Sequence, residues 1–338
     1  MSPGLRRYIA IRVLLTIPML LILVSVVFLI LRVLPGDPAL AVLREGASQE
    51  QIDAFRASLG LDKSLPEQYV EFISGVIRFD FGESMTRDRL VIDDIKTFLP
   101  ATIELALYSM IVIAAVGIFS GAYAAQHRKS AADYSIRIIS IILYSIPIFF
   151  LGIIFQMSFG AGLGWLPVFG RLSSGMSPPN SITGLYTIDA LLMGNIPLFL
   201  DALRHLILPS LTLGLILGGI FTRLTRANML EVLEQDFITA GRARGIRERV
   251  LVYRHGLRNA FIPIVTILGL QFATLLAGAI LTETTFSWPG LGRLVVDRIF
   301  DRDFTVVQAS ILFFAVLVAS ISLVVDILYG FIDPRIRY

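Results

Sequence analysis

The sequence predicts an all-α polytopic membrane protein with about six transmembrane helices and an extracytoplasmic helical loop region. Hydrophobic residues make up 55% of the 338 and charged residues only 16%, with a mean hydropathy of +0.77. A soluble domain carries about a quarter charged residues, so the main solvent of this chain is lipid. Six apolar stretches approach or exceed the ~20 residues needed to cross a ~30 Å hydrocarbon core; they are 9–31, 101–125, 136–159, 205–221, 259–282 and 305–330. With no water to satisfy its peptide groups, each must be helical.

Residues 1–33 hold the N-terminus and the first span. Arg6, Arg7 and Arg12 precede the apolar run, and Ala39-Leu40-Ala41 mimics a signal cleavage site. The run is longer than a signal core, and Pro35, Gly36, Asp37 and Pro38 intervene, so the span reads as uncleaved. Residues 34–99 form the first outer loop region. Ser48-Gln49-Glu50-Gln51 opens an amphipathic pattern through Ile52, Phe55 and Leu59, with Gly60 suited to its end. A second pattern runs from Pro66 through Tyr69, Phe72, Ile73, Val76 and Ile77. These short helices form a packed cap over the spans or contact a ligand directly.

Residues 100–338 hold the other five spans. The segment 160–204 is rich in Gly, Pro and Ser and then turns apolar at 190–193. Asn195, Pro197, Asp201 and Arg204 make it a poor span, so a short surface or re-entrant helix is expected before the fourth span. The small residues Gly117, Ser120, Gly121 and Ala124 suit a close helix-packing face.

Charge sets the orientation. With both termini inside, the cytoplasmic segments carry 16 Lys and Arg, and the two shorter outer loops carry five: Arg171, Arg204, Arg293, Arg298 and Arg302. This is the positive-inside pattern of a multi-pass protein of the cell (inner or plasma) membrane. The net charge of +3 comes from membrane-flanking arginines and gives no sign of nucleic-acid binding.

Catalytic chemistry is missing. There is no cysteine, and His127, His205 and His255 form no metal-binding pair. None of Lys63, Lys96 and Lys129 follows glycine, so no phosphate-cradling loop exists. Intramembrane polar groups are functional hypotheses by default: Glu104 and Asp326 lie about a turn inside span ends, and Asp326 shares a depth with Arg12 in an expected ion pair. Gln156, Gln271 and Thr274 line an aqueous path or bond across helices.

The loop 223–258 is the most informative segment. Residues 231–245 should form one helix, anchored by Phe237 and Ile238, with a face of Thr239, Ala240, Gly241 and Ala243 that has almost no side-chain bulk. Gly241 costs a free helix about 1 kcal/mol relative to alanine, which suggests close approach of something to the backbone. Gly245 ends the helix. Arg242, Arg244, Arg247 and Arg249 ring the surface, ready for acids on a partner or anionic lipid. An ordinary interfacial helix would present the same pattern.

TAGRARG at 239–245, followed by RHGLRNAFIP at 254–263, resembles the E-A-A-x-x-x-G coupling loop of binding-protein-dependent ABC-transporter permeases of the dipeptide, oligopeptide and nickel branch. LPGDP at 34–38, LGLD at 59–62, Asp80-Phe81-Gly82, LPATIELA at 99–106, DALRHLILPSLTLG at 201–214, PGLG at 289–292 and DPRIRY at 333–338 are similar to the same branch. The long first outer loop matches the first-named of the two permeases in such systems. Thr239 and Gly241 depart from the motif by replacing its glutamate and second alanine.

The resemblance implies a type I ABC importer permease fold and transport of a peptide or related small solute. It implies a second permease subunit in a heterodimer, two cytoplasmic ATP-binding subunits and an extracytoplasmic solute-binding protein. ATP and Mg would sit on the partner subunits, with no cofactor on this chain, which is then not an enzyme. Phe237, Thr239, Ala240, Gly241, Arg242, Arg244, Gly245 and Pro263 would form the ATPase-coupling loop, and Glu104, Gln156, Gln271 and Asp326 are candidate path residues. The alternative is an ion-coupled secondary transporter of small solutes using Glu104 or Asp326. Such folds show paired repeats with broken helices, and the sequence has no such pair.

Overall fold

The computed structural model describes residues 3–33, 48–58, 60–87 and 89–332. The motifs at 34–38 and 333–338, and Leu59, lie outside the described residues. The described chain is almost wholly helical, with no β-strand beyond an isolated bridge between Glu83 and Leu90.

Four single helices are long and apolar enough to cross a membrane, and two bent pairs bring the number to six. The first span is α1 (Pro3–Val33). Two short helices follow in the outer loop, α2 (Gln49–Ser58) and α3 (Leu65–Arg78). Their ends obey local chemistry. Ser48 N donates to Gln51 Oε1 (2.9 Å) and Gln51 N to Ser48 Oγ (3.3 Å), a capping box. Gly60, at φ +64°, closes α2 as the sequence predicts. Glu67 Oε2 accepts from Ser64 N (3.0 Å) and Oγ (2.7 Å) at the start of α3; these bonds hold the Glu67 carboxyl below its ordinary range.

The apolar face of α3 rests on α1. Phe28 meets Tyr69 edge-on at 5.3 Å and Phe72 at 5.5 Å, and Ser25 Oγ bonds Tyr69 Oη at 2.6 Å. A cavity of about 560 Å³ lies beyond, between α3, residues 80–85 and the start of the last helix.

The bundle is built around α4 (Val91–Gln126) and α8 (Ile196–Leu233), its most extensive helix pair. Gly117, Gly121, Gly214 and Gly218 let the two backbones approach. A Cβ at Gly121 would lie 2.6 Å from the Thr222 carbonyl oxygen, and Ser120 Oγ bonds Thr222 Oγ1 at 2.7 Å. In lipid no hydrophobic force drives helices together, so this close contact is what holds them.

The span at 136–159 departs from expectation. It is α5 (Ala131–Ser145) and α6 (Ile148–Phe155) continued by π1 (Gln156–Gly162), with a bend of 101° at the break. Pro147 has no N–H and pushes Ile146 into extended backbone, at φ −81° and ψ 129°. The short helix expected before the fourth span is α7 (Tyr186–Leu192). Asn195, Pro197, Asp201 and Arg204 instead belong to the start of α8: Asn195 Oδ1 caps Leu198 N (3.1 Å) and Pro197 sits where no N–H is needed.

After α9 (Asp236–Ala243) and π2 (Val250–Gly256), the fifth span is α10 (Leu257–Gly278). Segments 250–261 and 263–276 meet at 55°, with Pro263 at the junction. Then come α11 (Ile280–Thr285), α12 (Leu291–Phe300) and α13 (Phe304–Ile332). Asp303 ties the start of α13 to the outer loop, accepting from Ser84 Oγ, Thr86 Oγ1 (3.0 Å) and Met85 N (3.2 Å).

Gly121→Val would drive a branched side chain into Thr222 and Thr225, an overpacking that costs roughly 1–3 kcal/mol. The thermal midpoint of the detergent-solubilised protein should fall, while Ser120→Ala, which removes only the hydroxyl, should shift it far less. Equal midpoints for Gly121→Val and the parent would refute the close α4–α8 contact.

Candidate coupling site after the fourth span

The helix expected over 231–245 is broken. α8 ends at Leu233, Gln235 is extended at φ −76° and ψ 152°, and α9 starts at Asp236. The break rephases the apolar face. Val232 and Leu233 are buried at the end of α8; an uninterrupted helix would turn Asp236 and Phe237 inward after them. Instead Ile238 (0% exposed) and Gly241 are buried, while Phe237 is 41% exposed.

Gly241 faces its own chain. A Cβ there would lie 2.5 Å from Leu251 Cδ2, and Leu251 belongs to the buried start of π2. The missing side chain is therefore accounted for by internal packing. Gly245 ends α9 as expected, at φ +75°. Ile246 N donates to Gly241 O (3.1 Å) and Gly245 N to Arg242 O (2.9 Å), the paired bonds of a Schellman turn.

The outward side carries Phe237 and Ala240 on α9 and Arg244 at its C-cap, at helical spacing, flanked by Thr239 and Ala243; Asp236 and Arg242 are exposed beside it. This outward face is compact, nearly smooth and edged by cations. Arg242 is not one of the free cations: its guanidinium grips Glu248 in two bonds, of 3.1 and 2.8 Å. That bond from Arg242 holds the Glu248 carboxyl below its ordinary value. Arg244, Arg247 and Arg249 are exposed and form no ion pair among the described residues. Pro263 lies inside α10 at the bend, not on this face.

The base of α9 is braced. Arg226 on α8 holds the buried Asp133 at 2.6 and 2.8 Å, and Asp133 also accepts from Lys129 N (3.0 Å). Arg128 reaches Glu234 at 2.6 Å, in the turn before α9. Asp133 and Arg226 stand 93 positions apart, and nothing in the sequence marks them as a pair.

The candidate path residues are mostly committed to structure. Glu104 is buried at 1%, paired with Arg171 at 2.6 Å, and accepts from Thr187 N (2.8 Å) and Oγ1 (2.7 Å). Arg171 in turn stacks on Tyr186, 3.4 Å from the ring centroid. Asp326 pairs with Arg12 at 3.2 Å, as the shared depth predicts. Gln156 Nε2 donates to the carbonyls of Val168 (2.9 Å) and Thr285 (3.0 Å), so it ties π1 to its neighbours. Gln271 has no hydrogen-bond partner among the described residues, and Thr274 is exposed and bonds only Leu270 O.

A buried carboxylate missed by sequence reasoning, Glu283, accepts from Thr102 Oγ1 (2.7 Å) and Arg293 N (2.9 Å). It joins the LPATIELA and PGLG motifs, with Trp288 Nε1 donating to Ala101 O at 2.8 Å. Among the described residues no group of His, Asp and Glu could hold a metal ion.

The Arg242–Glu248 clasp gives a pH prediction. A carboxyl held below its unfolded value stabilises the fold above that value, and the contribution is lost as pH falls through its folded value. Amide exchange over 242–248 should therefore quicken, relative to intrinsic rates, below about pH 4.5. In Glu248→Gln that extra acid sensitivity should disappear; its persistence would show that the clasp does not hold the turn.

The comparisons agree with this architecture. Residues 117–338 match the family described as "Binding-protein-dependent transport system inner membrane component", and 5–106 match "Binding-prot-dependent transport system membrane comp, N-term". The "Di/tripeptide transport system permease protein DppB" of Pseudomonas aeruginosa (strain UCBPP-PA14) is 43% identical over 332 residues, 98% of each chain. The "Dipeptide transport system permease protein DppB" of Escherichia coli (strain K12) is 41% identical over 327 residues, 96% of each. The "Glutathione transport system permease protein GsiC" of the same strain is 39% identical over 331 residues, 98% of this chain and 99% of its own. The chain thus belongs to the family of inner-membrane permease components of binding-protein-dependent transport systems.

Proposed function

We propose that this chain is one of two permease subunits of an ATP-driven peptide importer, and that α9 is the handle through which ATP-binding subunits move it. The observation that carries this reading is the exposed face of Phe237, Ala240 and Arg244 on a helix whose opposite face, Ile238 and Gly241, is buried in the bundle. A force applied to such a helix passes into α8 and π2. The relatives' names support short peptides as cargo.

The positive-inside pattern supports α9 and both termini on the cytoplasmic side. The partners are a second, different permease subunit, two ATP-binding subunits and an extracytoplasmic solute-binding protein, with ATP and Mg held by the ATP-binding subunits. Their closure would draw two coupling helices together and switch the spans between two packings of similar energy, each favoured by a different partner. The 101° break and the 55° bend give the chain places to flex. An ion-coupled mechanism is disfavoured by the pairing of Glu104 with Arg171 and of Asp326 with Arg12.

Ala240→Trp places a large group on the outward face without touching the buried one. In the reconstituted complex it should lower ATP-dependent peptide uptake at least tenfold, while insertion and assembly persist. Gly245→Val, which strains a positive φ, should act in the same direction. Peptide uptake that stays tightly ATP-coupled in Ala240→Trp would overturn the assignment of the handle. Uptake driven by an ion gradient without ATP would overturn the importer itself.

A further inference from the structure

The segment between the third and fourth spans hides its charge and exposes its apolar side chains. Between Arg137 and Arg204 only three residues are charged: Arg171, Asp189 and Asp201. All three are consumed internally. Arg171 (side chain 6% exposed) pairs with Glu104. Asp189 (0% exposed) accepts from the N–H groups of Ile182, Thr183 and Gly184. Asp201 (12%) accepts from Ser173 N (2.8 Å) and Oγ (2.6 Å). Meanwhile Trp165 is 67% exposed, Phe169 59%, Ile182 64%, Leu192 61%, Ile196 50% and Leu200 49%.

The outer loop at 48–96 differs in its charges, although it too exposes apolar side chains such as Val70 (66%), Ile77 (72%) and Phe79 (60%). Its Lys63, Glu71, Arg87 and Lys96 side chains are 44%, 58%, 61% and 70% exposed, as a water-facing surface requires. Of these two regions, only the one between the third and fourth spans lacks exposed charge.

Geometry fixes the depth. α8 has 38 residues, ~57 Å at ~1.5 Å per residue, well beyond a ~30 Å hydrocarbon core. Arg223 and Arg226 mark the polar boundary at the α9 end. A tilted span of about 20–25 residues counted back from them puts the far boundary between residues 198 and 206, with the exposed Leu200 at it and Ile196 beyond it at headgroup level. Residues 163–195 are mostly irregular, and exposed irregular backbone is excluded from hydrocarbon. The headgroup–acyl boundary accepts both uncharged polar backbone and aromatic or aliphatic anchors.

We propose that residues 163–200 form an interfacial anchor lying in the headgroup–acyl boundary of the leaflet opposite α9, with Trp165, Phe169, Leu192 and Ile196 immersed in lipid. The Arg171–Glu104 pair and the Ser173–Asp201 bonds fasten it to α4 and α8, so it sets the depth of both helices. The inference needs only a membrane-spanning chain and is independent of the cargo and of the coupling handle.

The chain has no native cysteine, so nitroxides can be placed singly at Leu192→Cys and Ile196→Cys, with Arg87→Cys as the aqueous control. The measurement uses the full complex in lipid nanodiscs, its partner chains free of reactive cysteines. The ratio of oxygen to nickel-chelate accessibility should be several-fold higher at 192 and 196 than at 87. Nickel access equal to that at 87 would mean a water-facing surface and overturn the proposal. Exclusion of both reagents would mean cover by the second permease subunit and overturn it equally. Trp165 offers a label-free check, because Trp288 is 1% exposed. The emission lost in Trp165→Phe should be the part quenched by brominated lipid; if that part is unquenched, the anchor is not in lipid.

Discussion

The seating of Gly241 on Leu251 is the contact on which the functional reading rests. α9 has only eight residues and would not hold a helical shape alone in water. As the proposed handle it would depend on Ile238 and Gly241, which clamp one face to the bundle and leave Phe237, Ala240 and Arg244 outward on the other. A side chain at 241 would have to displace the end of Leu251 inside the bundle. The family motif's small residues therefore divide into two duties here, with Gly241 inward and Ala240 outward.

Behind α9 the bundle is closely packed where backbones meet and bent where the helices break. Glycines bring α4 and α8 into direct contact, and the buried Arg226–Asp133 pair ties α8 to α5 near the same end. Removing one partner of such a pair strands the other, a cost on the order of several kcal/mol. The breaks at Pro147 and Pro263 lie on the neighbouring elements. This division suits a membrane subunit that must pass movement along one path and absorb it along another.

Much of the fold was legible in composition and hydropathy. The spans at α1, α4 and α13 follow from apolar runs alone, and the ends of α2 and α9 follow from Gly60 and Gly245. Hydropathy is blind to a missing N–H, so the bend at Pro147 was lost inside one apolar run. The break before α9 was lost because 231–245 reads as helix residue by residue; only the burial of Ile238 forces the change of phase. The site was half legible. Ala240 and Arg244 were visible as small or basic types, whereas Phe237 reads as an anchor beside Ile238 and is instead exposed; the roles of Arg242, Glu104 and Glu283 depend on partners, and Glu104 and Glu283 find theirs 67 and 181 positions away. A single sequence carries no signal for such distant pairs.

The central claim, that an ATP-binding subunit grips the outward face of α9, is tested most directly by chemical contact. Because the chain lacks cysteine, a photoreactive group can be attached at Ala240→Cys in the intact complex. The account predicts a crosslink to an ATP-binding subunit whose yield changes between nucleotide-free and ATP-bound states. A probe at Ala240 that labels only lipid or solvent in both states, while transport remains active, would contradict it.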